Sequence, residues 1–163
     1  MREIIDILQA DGHATPERIA TMTGLDADSV RDQIATWEQE KIIRRYKAVV
    51  DLDRMREITG IEVITALIDV SVSPERGVGF DDVAARTSQF PEVRSVYLVS
   101  GAQDLRCVVT GRSMHDVADF VAQKLATINR VSATATHFVL KTYKDDGELL
   151  IGATEDHRLR VAP

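Results

Sequence analysis

The 163-residue sequence has one cysteine, four prolines and few aromatic side chains, 5% in all. A lone Cys107 excludes an internal disulfide framework and a cysteine-based zinc site. It fits a reducing, cytoplasmic setting. No apolar run approaches the ~20 residues of a membrane span. The first residues lack the basic, apolar and small-residue succession of a secretory signal. The histidines His13, His115, His137 and His157 form neither His-x-x-His nor His-Glu-x-x-His spacing. Glycine loops that cradle phosphates are missing too, and Gly77-Val-Gly79 reads as a turn at a helix start. With no paired acid and base, the expectation is a non-enzyme with no catalytic residue, no metal site and no cofactor. Positive charge is also in the minority: 20 Lys and Arg face 26 Asp and Glu, for a net charge of −6. Averaged over the chain, that balance argues against a nucleic-acid partner.

What is present is an ordinary soluble composition, 44% hydrophobic and 28% charged. The apolar periodicity changes near residue 51, and the chain divides there. Ile4, Ile5 and Leu8 place an apolar stripe on a first helix over about 2–10, stopped by Asp11-Gly12. Thr15 and Pro16 open a second helix, as N-cap and first helical residue, with Ile19, Ala20 and Met22 buried. Thr23-Gly24-Leu25 breaks it. Asp26 caps a third helix whose buried stripe is Val30, Ile34 and Trp37. Asp28, Arg31 and Asp32 lie on its opposite face. Ile42-Ile43, Tyr46 and Ala48-Val49-Val50 read as a two-stranded hairpin. Three short helices and a trailing hairpin make a winged helix-turn-helix over 1–50, with the third helix suited to a major groove and the wing to phosphates. Lys41, Arg44, Arg45 and Lys47 form the densest basic cluster and fall on that wing. A local patch of this kind can dock on DNA although residues 1–60 carry net −3. The competing reading is a helical packing module with a solvated charge run, favoured by Asp28 and Asp32.

A polar stretch, 51–60, reads as a linker. Beyond it the pattern is strand over 61–72, a turn at Pro74–Gly77, helix over 79–89, strand over 93–99, a tight turn at Ser100–Asp104 and strand over 105–110. A helix capped by Ser113 follows, then a strand over 134–143. This βαββαβ order is the ferredoxin-like arrangement, within an α+β fold class, for a domain over 61–145 and a tail over 146–163. Helices should cover one sheet face. The other, expected to carry Val, Leu and Phe, needs a partner, which predicts a homodimer. Cys107 lies in an apolar strand and reads as a buried, inert thiol.

The motifs Leu8-Gln9-x-Asp11-Gly12, Ile19-Ala20-x-x-x-Gly24-Leu25 and Ile43-x-x-Tyr46-x-Ala48 resemble the DNA-binding half of the Lrp/AsnC family. Phe90-Pro91-Glu92-Val93, Ser100-Gly101-x-x-Asp104-Leu105 and Thr134-x-Thr136-x-x-Val139-Leu140-Lys141 resemble that family's ligand-sensing (RAM-type) domain. The third helix departs from the family pattern at Asp26, Asp28, Gln33 and Trp37. The resemblance implies a regulator of amino-acid metabolism that binds double-stranded promoter or operator DNA through Ser29, Arg31, Gln33, Lys41, Arg44, Arg45 and Lys47. It implies homodimers that join into higher oligomers such as octamers, with a small amino acid bound between subunits near the Gly-x-x-Asp turn. There the backbone of Ser100, Gly101 and Ala102 can approach a carboxylate, and Asp104 can accept from an α-ammonium. Thr134 and Thr136 can add hydrogen bonds. Asp104 reads equally as a turn residue bonding backbone, and the threonines as β-branched strand residues. The alternative function is an amino-acid-binding or oligomerisation module that has lost DNA recognition.

Overall fold

The computed structural model describes residues 2–73 and 79–150. The turn expected at Pro74–Gly77 and tail residues 151–163 lie outside them. The described chain forms two compact units, residues 2–50 with 144–150, and residues 51–143. No helix among the described residues is long and apolar enough to cross a membrane.

The first unit holds helices α1 (Arg2–Ala10), α2 (Pro16–Thr23) and α3 (Ala27–Gln39). Their ends follow local chemistry. Thr15 Oγ1 accepts from the Arg18 N–H at 3.3 Å and Pro16 starts α2. Gly24 ends it at φ +72°, a left-handed conformation that costs a residue without Cβ little. The Asp26 carboxylate accepts the Ser29 N–H at 3.0 Å and opens α3. Ile4, Ala14, Ile19, Ala20 and Val30 are buried together, with Ile34 and Trp37 against them. Met22, expected inside, is exposed at the end of α2.

The expected wing is not formed: residues 44–50 belong to no strand and have no ladder partner. Two causes are visible. The Ile42 and Ile43 N–H groups both donate back to the Trp37 carbonyl, which ties 42–43 to the end of α3. The remaining segment also offers Arg44-Arg45 where a two-residue hairpin needs Gly, Asn or Asp to take positive φ. Lys41 belongs to the helix end rather than a strand, at φ +62° with its N–H on the Glu38 carbonyl. Tyr46 pins the run: its hydroxyl donates to Glu38 Oε1 at 3.0 Å, and its side chain packs beside Gly12. A two-stranded hairpin does occur in this unit, but from β5 (Lys144–Asp145) and β6 (Glu148–Leu149). Its turn is Asp146-Gly147, both at positive φ as such a turn requires.

In the second unit the polar stretch read as a linker is a helix, α4 (Leu52–Thr59), capped by the Asp51 carboxylate on the Arg54 N–H and ended by Gly60. The βαββαβ order then appears as β1 (Ile64–Val72), α5 (Asp81–Thr87), β2 (Val93–Leu98), β3 (Leu105–Gly111), α6 (Met114–Phe120) and β4 (Val131–Phe138). The four strands form one antiparallel sheet in the order β2-β3-β1-β4. Strand β4 starts before the predicted Thr134 and stops at Phe138 rather than Tyr143. A π-helical turn, Val121–Leu125, extends α6 through the bond from the Ala126 N–H to the Val121 carbonyl. Ala66, Ile68, Val70, Cys107, Val109 and Leu125 are among the side chains packed between sheet and helices.

Cys107 is fully buried, and burial pushes its thiol up to about 11. The native protein should therefore resist iodoacetamide at pH 8, while the urea-unfolded chain labels fully. Mass spectrometry of the two reads this directly, and equal labelling would contradict the packing.

The uncovered sheet face carries Leu and Val as expected but lacks the expected Phe. Phe138 pairs with Ala66 and packs on the helix side. The open face carries Leu67, Val108 and Tyr97 around a polar centre. There the Asp69 carboxylate receives Arg106 Nε at 2.7 Å and Nη2 at 2.9 Å, and His137 Nε2 stands 3.6 Å away. Arg106 holds Asp69 below the usual carboxylate range. Asp69 is only 5% exposed, so this fork-on-fork pair keeps a nearly buried charge compensated.

Candidate nucleic-acid interface and effector turn

The residues expected to meet DNA fall into two electrostatic classes. Arg31 stands on α3, but both its terminal nitrogens are engaged. Nη2 donates to Glu17 Oε1 at 2.7 Å, and Nη1 donates to Asp28 Oδ1. These bonds raise the guanidinium's pKa. They also spend its charge inside the protein. With Asp28, Asp32 and Glu38 on the same helix, α3 is net negative. Ser29 is exposed, and its hydroxyl turns back to Asp26 at 3.3 Å as part of the cap. Gln33 is half-buried.

The cations after α3 are different. Lys41, Arg44 and Arg45 are exposed and form no ion pair among the described residues. Lys47 is held by Asp146 Oδ2 at 3.0 Å. An exposed run carrying adjacent, unneutralised Arg44 and Arg45 is suited to phosphate oxygens, since guanidinium forks match them bidentately. Sequence reasoning named these cations but missed Glu17, which takes Arg31, and Tyr46, which anchors the run. The spacing of Asp28 and Arg31 on α3 signals only that pair, whereas Glu17 on α2 reaches Arg31 through the fold.

In the second unit the turn Ser100–Asp104 projects from the end of β2 and β3. Ser100, Gly101 and Ala102 are exposed. Gly101 sits at φ +142°, and a Cβ there would meet nothing within 4 Å. The glycine is thus required by backbone conformation, and the space beside it is open. Asp104 serves the fold through one oxygen: Oδ2 accepts the Val72 N–H at 2.8 Å. That bond closes the point where the β1–β4 register shifts, between Ser71 and Val72. It joins positions far apart in sequence, so the turn residue bonds another strand's backbone rather than its own. Thr134 pairs with Val70 and Thr136 with Ile68, so both lie half-buried on the helix-covered side of the edge strand β4. Val70 also pairs with Leu105, which puts Thr134 at the same end of the sheet as the turn, two strand spacings or ~10 Å from Leu105.

Replacing Asp104 by Ala should cost ~1–3 kcal/mol, the loss expected when a buried N–H is left without its acceptor. Urea unfolding measures it. An unchanged midpoint would free the whole carboxylate from its structural duty.

Among the described residues no group of three or more His, Cys, Asp or Glu is placed to hold a metal ion. The arrangement defines a class: a three-helix unit with exposed cations, on one chain with a ferredoxin-like sheet that presents a polar turn. Comparison with known proteins specifies it. Residues 65–149 match the Lrp/AsnC ligand binding domain. The chain is 47% identical over 161 residues to the HTH-type transcriptional regulator YugG of Bacillus subtilis (strain 168), covering 99% of this chain and 95% of that one. The HTH-type transcriptional regulator FL11 of Pyrococcus horikoshii is 29% identical, over 92% of this chain and 93% of its own length. Among solved structures, the leucine response regulatory protein LrpA of Mycobacterium tuberculosis shares the fold with a TM-score of 0.72 at 23% identity, over 91% of this chain and 96% of that one. The chain belongs to the Lrp/AsnC family of transcriptional regulators. It is a DNA-binding regulator and not an enzyme.

Proposed function

We propose that this regulator controls genes of amino-acid metabolism and that a small amino acid, bound between subunits at the Ser100–Asp104 turn, gates it. Residues 1–50 serve as the DNA-binding domain and contact phosphates chiefly through Lys41, Arg44 and Arg45, with Lys47, Ser29, Arg31 and Gln33 in support. Residues 51–60 connect it to a sensing and assembly domain over 61–145, followed by the tail 146–163. The sheet face around Asp69 and Arg106 meets the same face of a second copy, and dimers join further into an oligomer. Effector binding changes how dimers associate, and so how recognition helices are spaced along DNA in the cytoplasm.

The observation that carries the effector reading is the exposed turn itself. It presents unencumbered backbone at Ser100, Gly101 and Ala102, beside an Asp104 with one oxygen outside its bond to Val72. A Neisseria meningitidis regulator of the same fold, with a TM-score of 0.69 at 24% identity over 88% of this chain and 89% of that one, was solved with L-methionine, which supports an amino acid as the ligand class. A thermal-shift screen of the twenty amino acids tests it. One or a few should raise the melting temperature in a concentration-dependent way, because a ligand that binds only the native state stabilises by mass action. No shift with any of them, at millimolar concentration, would sink the effector reading.

The neutralised Arg31 favours a second reading, a sensor or assembly module with weakened DNA recognition. DNA affinity independent of Arg44 and Arg45 would support it.

A further inference from the structure

The tail hairpin follows the sheet domain in sequence, yet residues 144–150 belong to the same compact unit as residues 2–50. Its tip, Asp145-Asp146-Gly147-Glu148, concentrates three carboxylates. Asp146 meets Lys47 at 3.0 Å. Asp146 and Glu148 also line one groove together with His13, Arg44, Arg45 and Lys47. The turn geometry holds the tip in this form, since Asp146 at φ +46° and Gly147 at φ +93° take the left-handed pair a tight hairpin needs. A carboxylate placed on a lysine of a phosphate-binding run occupies the place a phosphate oxygen would take.

We propose that the acidic hairpin 144–149 is a built-in competitor for the DNA backbone. It neutralises Lys47, at the end of the Arg44–Lys47 run, in the unbound protein, and it must give up Lys47 before that lysine can meet a phosphate. This rests on the reading of the run as the phosphate-contacting surface. The competition lowers affinity for any DNA, so weak non-specific sites are disfavoured first, while a site with enough other contacts displaces the tip.

The test uses the full chain and a duplex from its own upstream region, with affinity measured between low and physiological salt. Asp146→Asn is the variant of choice, because Asn accepts the left-handed conformation and preserves the turn. It should raise affinity several-fold at low salt and steepen the log–log salt slope by up to ~0.9, the value of one recovered phosphate contact. Lys47→Ala should cost little in the wild-type background and should cancel the gain in the Asp146→Asn background. Glu3→Gln makes the same charge change on α1 and should give much less. If Asp146→Asn leaves affinity and slope unchanged, if Lys47→Ala costs the same in both backgrounds, or if Glu3→Gln matches the gain, the competition is refuted. In each of those cases a large loss with Arg44→Ala/Arg45→Ala shows that the phosphate reading itself still stands. If neither the wild type nor any variant binds DNA, both readings fail together.

Discussion

Replacing Arg44 and Arg45 together by alanine should weaken DNA binding by at least an order of magnitude near physiological salt and reduce the log–log salt slope by about 1.8, the counterion release of two phosphate contacts. The size follows from which charges are available. Arg31 is held by Glu17 and Asp28, and Lys47 by Asp146. Lys41 sits at the end of α3 in a left-handed conformation. Arg44 and Arg45 remain as adjacent, exposed guanidinium groups without an acidic partner among the described residues. In a chain of net charge −6 they carry most of the attraction for a polyanion. The loss should be nearly uniform across DNA sequences, because phosphates are common to all of them. The fold should be untouched, since neither side chain is buried. A loss confined to one operator sequence would instead assign these arginines to base reading.

The largest effect on stability is expected at Ile68→Ala. Ile68 is at the centre of β1, the strand that pairs with both β3 and β4, and it is fully buried against the helices. Truncation removes the side chain's transfer energy and leaves a cavity that hydrogen-bonded strands on both sides prevent from collapsing. The cost should be ~2–5 kcal/mol in urea unfolding. Leu140, 87% exposed, provides the contrast, and Leu140→Ala should stay within ~0.5 kcal/mol. Comparable losses at the two positions would mean that the sheet domain is not packed around β1.

Local chemistry was the most legible part of this chain. Thr15, Pro16, Gly24, Asp26 and Ser113 act at helix ends as their residue types require, because a cap depends on neighbours within a few positions. The βαββαβ order could also be read, since it rests on periodicities that survive tertiary context. The wing could not be read correctly from apolar alternation alone. Turn chemistry was the contrary signal: Arg44-Arg45 has no residue suited to positive φ, whereas Asp146-Gly147 has two and does turn. The second kind of miss is long-range. The bond between Asp104 and the Val72 N–H, and the fork between Asp69 and Arg106, join positions that only the folded sheet brings together. Asp69, the one charged residue of β1, was a usable hint, because a carboxylate at a buried position has to be paired. Its partner became identifiable only from the β1–β3 register, in which Asp69 faces Arg106.

The salt dependence of binding to its own upstream DNA shows whether this acidic chain works on DNA through a local cationic run. Affinity of the wild-type protein should fall linearly in log–log form as salt rises, with a slope of several phosphate contacts, each worth about −0.9. An absence of measurable affinity at low salt, or an affinity that salt leaves unchanged, would contradict the claim.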